Sequence, residues 1–447
     1  MDEPSKAANR ILLGTGFGMM LICGFAIVEE RMIVNDLGIG HLFFLTGMIC
    51  LIMSRLLSYD SSFLTNIFPD ETEEELNQVS KLKEKIEKNE NINELEIAVL
   101  GSYVPLNHSE IIVKKLLNYK SSCFLFNDLM DLQIKEPLKE KELMRSFTSL
   151  DEIIDPVSKK VREQYEENPY PRWRFTKKYI PNNFCNRLNN QIKPNKITYD
   201  KKLDAPNILI AGCGTGNHPI SATRYKNANI LGVDLSLASL GYAKRKVNEL
   251  HHENINFLHA DILQLKKLNK KFDVIESSGV IHHMKDPIEG LKILLEILEP
   301  HGYLRLGLYS ELARQNVVKA RKFIKDNNYK NNIRDIKFFR KTIIDNDGDK
   351  LLNTLTQSED FYSTSAVRDL LFHVQEHRFT IPQISEILIN FKLEFLGFDI
   401  PNPSIKNKYS KIFPNDKKNI LLENWHQFEI DNPETFGAMY QFWVKKS

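Results

Sequence analysis

The stretch "NILIAGCGTGNHPI" (207–220) sets the strongest constraint on this chain. An uncharged, β-prone run stops at closely spaced glycines, and an amphipathic segment follows at once. Glycine accepts left-handed backbone and close approach of other atoms, so a strand, a tight loop and a helix are expected in that order. The alternation then repeats. "NILGVDLS" reads as a second strand ending in Asp234 and "LASLGYAKRKVNEL" as a helix. "INFLHADI" and "FDVIESSGV" read as strands three and four, "DPIEGLKILLEILEP" as a helix closed by Pro300 and Gly302, and "YLRLGLYS" as strand five. Short apolar strands alternating with helices of about 10–15 residues predict an α/β fold, a doubly wound parallel sheet with helices on both faces. Ligands of such sheets sit beyond the carboxyl ends of the strands, at the switch point.

The neighbours of the loop decide which ligand it serves. A dinucleotide fingerprint has the spacing G-x-G-x-x-G, whereas Gly212, Gly214 and Gly216 form G-x-G-x-G and Asn217 stands where the third fingerprint glycine would fall. No Lys-Ser/Thr pair follows, which excludes a P-loop. Asp234, with Leu235 beside it, ends the second strand, where a carboxylate accepts hydrogen bonds from both ribose hydroxyls of an adenosine. Asp261 ends the third strand, placed to accept from an adenine amine, with the Ile262 N–H as donor to a ring nitrogen. The main chain from Gly212 through Cys213 and Gly214 to Gly216 is left for an amino-acid portion. Each aspartate alone could equally cap the following helix. The set together suits S-adenosylmethionine (SAM), which carries an adenosine and no phosphate.

The blocks "VSKKVREQYEENPYPRW", "LIAGCGTGN", "GVDLSLASLGYAKRK", "FDVIESSGVIHHMKDP", "GLYSELARQ", "DLLFHVQEHRFTIPQI" and "PETFGAMYQFW" resemble the class I SAM-dependent methyltransferases. Within them the likeness is to the methyltransferase region of bacterial proteins that often carry tetratricopeptide repeats ahead of it, and it runs over residues 95–447. The resemblance implies a seven-stranded Rossmann-like sheet whose last strand is antiparallel, with "KLEFLGFDI" (392–400) and "GAMYQFWVKK" (437–446) as strands six and seven. It also implies cofactor contacts at Gly212, Gly214, Gly216, Asp234 and Asp261, and it sets Ser277 and Ser278 beside the transferred methyl group. This chain departs from the pattern ahead of that region, where repeats would be expected.

Residues 11–28 and 37–54 carry no charge, and Arg10, Glu29-Glu30-Arg31 and Arg55 bracket them. Each approaches the ~20 residues that cross a hydrocarbon core, so a two-helix transmembrane hairpin is expected over residues 1–57, with Gly14 and Gly18 as a packing notch. Lys6, Arg10 and Arg55 place both ends, and a catalytic domain after them, on the cytoplasmic side. Residues 58–94 read as a polar linker, 95–164 as a helical lead-in and 165–447 as the methyltransferase domain. The basic run 321–343, with eight Lys/Arg against two Asp, reads as a solvated helical insertion or a contact to anionic headgroups. Composition is ordinary for a globular chain, with 42% hydrophobic and 26% charged residues. A net charge of +2 gives no reason to expect a nucleic-acid partner. Five scattered cysteines fit a reduced environment, and no feature fixes an oligomeric state. The expected acceptor is a small or lipid-associated molecule, with a protein or nucleic-acid acceptor, or a SAM-binding scaffold without turnover, as alternatives.

Methyl transfer is an in-line displacement, so the enzyme must align a nucleophile and exclude water. A base is needed where the acceptor carries a proton, and Glu276, His282 and His283 stand at the end of strand four where one is useful. "HVQEH" places His373, Glu376 and His377 in a zinc-protease-like order, but nothing else supports a metal, and His373 and His377 are assigned to the acceptor side or to a structural helix. Two prolines stiffen "YEENPYPRW", so Tyr165, Tyr170, Arg172 and Trp173 are candidates for a cover over the sulfonium, or for plain packing. Tyr170→Ala or Arg172→Ala is expected to weaken SAM binding or turnover by about tenfold or more while folding survives. Unchanged kinetics in a folded variant would remove the cover from the account.

Overall fold

A computed structural model describes residues 73–88, 90–345 and 354–447. The chain forms two compact units. One comprises the residues up to Gln133 with Asn332–Val367, the other Ile134–Asn331 with Arg368–Ser447.

The described residues of the first unit are largely helical. Asn93 starts the helix Glu94–Tyr103 with a capping box, its side chain accepting from the Glu96 N–H while Glu96 reaches back to the Asn93 N–H. Ser109 caps Glu110–Leu116 in the same sense, by accepting from the Ile112 N–H. A helix also occupies Glu73–Glu87, within the stretch read as a linker. In the helix Ile333–Asp345, Ile336, Phe339 and Ile343 are buried at one-face spacing. Arg340 is buried with them, its guanidinium over the Phe361 ring and donating to the Tyr362 carbonyl, so this part of the basic run is not uniformly solvated.

The second unit carries a seven-stranded sheet: β1 (Asn207–Ala211), β2 (Asn229–Asp234), β3 (Ile255–His259), β4 (Phe272–Ser278), β5 (Leu298–Tyr309), β6 (Leu393–Phe398) and β7 (Met439–Lys446). The order is β3-β2-β1-β4-β5-β7-β6. β1 to β5 pair in parallel, and β7 runs antiparallel between β5 and β6. Alternation along each strand feeds two cores. Ile208, Ile210 and Trp443 face one side with Phe184, whereas Leu209, Ala211 and Phe442 face the other with Trp425. Each such aliphatic side chain contributes roughly 1.5–3 kcal/mol on burial, which fixes the register. β5 starts earlier than the sequence pattern indicates. Leu298 pairs with Phe272 and Tyr303 with Val274, so residues between them, including Pro300, loop out within the strand, and the preceding helix already ends at Glu296.

The expectation of a transmembrane hairpin, and with it a two-pass membrane location, is corrected. Among the described residues no helix is long and apolar enough to cross a membrane. The longest, Glu73–Glu87, has 15 residues, short of the ~20 that span a bilayer, and it is strongly polar. Residues 11–28 and 37–54, on which that expectation rested, lie outside the described residues.

Glu276 on β4 anchors an ion network across one face of the sheet. Its carboxylate accepts from Arg224 at 2.8 Å and from His218 at 2.8 Å, and Arg305 of β5 lies 3.5 Å away. Arg305 continues the chain to Asp399 at 2.8 Å. Burial alone would raise the Glu276 carboxyl, but Arg224, His218 and Arg305 override it and hold it well below 4.5. Its stabilising contribution is therefore complete above 4.5 and is lost as pH falls through the lower folded value. Glu276→Ala leaves the Arg224 guanidinium without its carboxylate, while Arg305 keeps Asp399, and is expected to cost about 3–5 kcal/mol. Urea melts at neutral pH and in mild acid check this, since the variant should also lack part of the acid-induced loss seen in the parent.

Candidate active site

The site forms where the β1 and β4 ends meet. Gly212, Gly214 and Gly216 have φ of 75°, 50° and 89°, a left-handed run that side chains resist. Neighbours fill the space a side chain would need. A Cβ on Gly212 would fall 2.3 Å from Val280, and one on Gly216 2.7 Å from Ala243. Val280 belongs to the turn after β4, so the loops following β1 and β4 are in contact.

Asp234 ties the loop to β2. Its Oδ2 accepts from the Gly214 N–H at 2.8 Å and its Oδ1 from the Ser236 N–H at 2.9 Å. Burial pushes this carboxyl up to about 6, the hydrogen bonds from Ser236 and Gly214 opposing, and nearby Glu166 adding to the rise. Glu166 in turn accepts from the Leu237 and Ala238 N–H groups, capping the helix Leu237–Glu249. Asp261 is buried, and its Oδ1 accepts from the Leu263 N–H. It thus caps the 3-10 segment Ile262–Leu268, which Ile262 opens. The Leu235 carbonyl is engaged by His259 Nε2 at 3.0 Å. Cys213 is buried, its sulfur behind the loop beside Gly232, and burial raises its thiol well above the ordinary value.

The prolyl segment lies on the loop. The Tyr170 carbonyl is 3.4 Å from where a Gly214 Cβ would stand. Trp173 Nε1 donates to the Thr215 carbonyl at 3.2 Å, and the Trp173 N–H donates to the Tyr242 hydroxyl at 3.1 Å. Thr215 Oγ1 donates to the Pro171 carbonyl. Arg172 stacks over Tyr242 at 5.2 Å and approaches Glu140 at 3.6 Å. Tyr165 donates to Asp369 at 2.5 Å, and both Tyr309 and Asp234 lie near enough to disfavour its ionisation.

The two histidine motifs meet. His283 and His373 stack at 3.6 Å with 22° between planes, and His282 stacks on Tyr309 at 3.8 Å. Nδ1 of His283 and Nδ1 of His373 approach the same Gln375 carbonyl, at 2.7 and 2.8 Å. The Gln375 N–H lies farther from His373 Nδ1, at 3.3 Å, so the ring hydrogen is assigned to Nδ1. Both nitrogens of His282 and Nε2 of His373 are buried without a hydrogen-bond partner, as is the Ser277 hydroxyl on β4. Gly307 main chain comes only near enough to favour a charged His282 weakly. Burial holds His283 at about 4 and both His282 and His373 well below 6.5, so all three are neutral at pH 7. The segment 373–377 is not helical, so His373 and His377 share no helix face. His377 instead donates its N–H to the His282 carbonyl at 2.8 Å, and Glu376 pairs with Arg314 at 2.8 Å. Arg314 lies over Tyr309 at 3.6 Å. Glu166 of "YEENPYPRW", Tyr309 and Arg314 of "GLYSELARQ" and Gln375 of "HVQEH" lie within the sequence blocks, but nothing there singles them out as site residues, and only the fold brings them in. Glu276, by contrast, has its carboxylate occupied by Arg224 and His218.

Residues 203–364 match a family described as a methyltransferase domain. A Synechococcus protein described as uncharacterized is 28% identical over 187 residues, covering 38% of this chain and 42% of that protein. An uncharacterized methyltransferase of Schizosaccharomyces pombe is 31% identical over 115 residues, 24% of this chain and 41% of its own. PKMT2 from Rickettsia typhi in complex with AdoHcy aligns with a TM-score of 0.45 and 19% identity, over 62% of this chain and 54% of that one. The chain thus spans about half the length or less of each of these three proteins. Residues 203–364 are a methyltransferase domain of the SAM-dependent class, and SAM is the cofactor of such a domain. The residues present fit it: a bare main-chain cradle, a buried carboxylate at the β2 end and a second at the β3 end.

Proposed function

We propose that the whole chain is a SAM-dependent methyltransferase acting on a small-molecule acceptor. The bond from the Gly214 N–H to Asp234 carries this reading, because it ties a carboxylate at the end of β2 to the glycine cradle after β1, which borders the switch point of the sheet. In this reading Asp234 accepts from the ribose hydroxyls, Asp261 from the adenine amine, and the Ile262 N–H faces a ring nitrogen. The main chain of Gly212–Gly216, with Cys213 contributing backbone only and Leu235 alongside, holds the amino-acid portion. When bound, SAM supplies an electrophilic methyl on a sulfonium.

The chain's own work is then alignment and exclusion of water. Tyr165, Tyr170, Arg172 and Trp173 cover the cradle, and the hydrogen bonds of Trp173 to Thr215 and Tyr242 support a fixed cover. A fixed cover that excludes water suits a small acceptor. Ser277, with its unpartnered hydroxyl, flanks the methyl group, and His373 and His377 line the acceptor side with His282 and His283. Glu276 is better read as an anchor of the sheet than as a base, since its oxygens are taken. The blocks "YEENPYPRW" and "LLFHVQEHRFT" support placing the chain with the group often joined to tetratricopeptide repeats.

Calorimetry with the full chain tests the reading. SAM should bind, and Asp234→Asn should weaken it by about tenfold or more, the worth of hydrogen bonds to a charged group. Because the Asp234 carboxyl is pushed up to about 6, affinity should fall as pH drops through that value and the acceptor charge is lost. The variant should show no such fall. Absent uptake, or equal affinity for parent and variant, would reject the proposal.

A further inference from the structure

Three imidazoles packed together in a protein interior ordinarily satisfy one another or bond to main chain. Here His283 and His373 do so on one side only, and neither nitrogen of His282 does. The shared Gln375 carbonyl takes Nδ1–H from both His283 and His373, which leaves each Nε2 as a lone pair directed away from that carbonyl. Nε2 of His373 is buried without a partner, and Nε2 of His283 has no hydrogen bond among the described residues. Stacking at 3.6 Å keeps the two rings side by side. His283 lies three residues after Val280, whose side chain abuts Gly212, and the Tyr165 ring, 5.9 Å from that of His373, is near enough to Asp234 to feel its charge.

From this geometry we infer that the His283–His373 pair seats the nucleophile of the acceptor, a neutral primary amine that donates one hydrogen to each Nε2. The inference rests on the methyl-transfer reading above and adds the acceptor's chemical class. A primary amine has two hydrogens and one lone pair. With both hydrogens held by the imidazoles, the lone pair is left pointing along the remaining tetrahedral direction, which fixes its aim. A hydroxyl has one hydrogen and cannot engage both rings as donor. In the transfer the nitrogen lone pair forms the N–C bond as the S–C bond breaks, and the electron pair stays on sulfur. The nitrogen then carries one proton too many, which passes to an imidazole or to water. Neutral rings suit this place, since a charged imidazolium would repel a sulfonium. Burial keeps both rings neutral at pH 7.

The test uses the full chain saturated with S-adenosylhomocysteine, with 15N in the histidine rings, followed by NMR. Aniline is the probe, because it is a primary amine that is neutral at pH 7, and phenol is its matched hydroxyl. Aniline should move the Nε2 signals of both His283 and His373, with phenol moving at most one. His373→Phe keeps a stacked ring and removes one lone pair, and it should weaken aniline binding about fivefold, the worth of one hydrogen bond. Silent signals with aniline, equal effects from phenol, or unchanged aniline affinity in His373→Phe would each overturn the inference. S-adenosylhomocysteine uptake is measured in the same sample. Its failure sinks the methyl-transfer reading, whereas normal uptake with silent imidazoles sinks only the amine.

Discussion

Asp234 accepts from the Gly214 N–H at 2.8 Å, and most of the site's geometry depends on that contact. It joins the end of β2 to the loop after β1, the strand that borders the switch point with β4, so these two strand ends cannot drift apart. With the loop held, its three left-handed glycines become surfaces for other elements. Val280 packs where a Gly212 side chain would be, and Ala243 where one on Gly216 would be. Thr215, between them, then offers its carbonyl to Trp173, and the prolyl segment settles on the loop. A buried carboxylate with only main-chain donors around it is costly, and burial pushes its pKa up to about 6. In the proposed reading that cost belongs to a position kept for hydroxyl donors.

The two faces of the β4 end treat polar groups in opposite ways. Toward one face, Glu276 is satisfied by Arg224 and His218, with Arg305 near, and the group stiffens the sheet. Its neighbour Ser277, toward the other face, has no partner, and His282 and His373 also keep buried nitrogens unpaired. Unsatisfied buried polar atoms typically cost about 1–3 kcal/mol each. Buried unpaired atoms also occur elsewhere, Nε of Arg224 and of Arg305 among them, and it is the packing of several such nitrogens in one stack of rings that we read as a binding site. This contrast is why we assign proton-bearing chemistry to the histidines and structural work to Glu276.

The sheet was largely legible in the sequence, because each strand is a short apolar run with a polar or glycine stop, and Asp234 marks the end of β2 plainly. The glycine spacing, the missing Lys-Ser/Thr pair and the two strand-end aspartates together separated a nucleoside site from a dinucleotide or phosphate site. β5 was misjudged at its start, since Pro300 and Gly302 signal a helix stop but not a bulge inside a strand. Glu276 seemed a free carboxylate because its partner Arg224 lies 52 residues away. Likewise, His283 and Gln375 are separated by 92 residues, and only the packed fold shows that one carbonyl orients two rings. The apolar runs 11–28 and 37–54 led to a membrane assignment that the described helices do not support. Length and apolarity are needed to cross a bilayer, but they do not by themselves place a run in one.

A crystal structure with S-adenosylhomocysteine bound tests the central claim most directly. The account predicts an adenosine with its ribose hydroxyls on Asp234, its base beside Asp261 and its amino-acid portion along the main chain of Gly212–Gly216. A ligand lodged elsewhere, with the Asp234 carboxylate still facing only the N–H groups of Gly214 and Ser236, would contradict it.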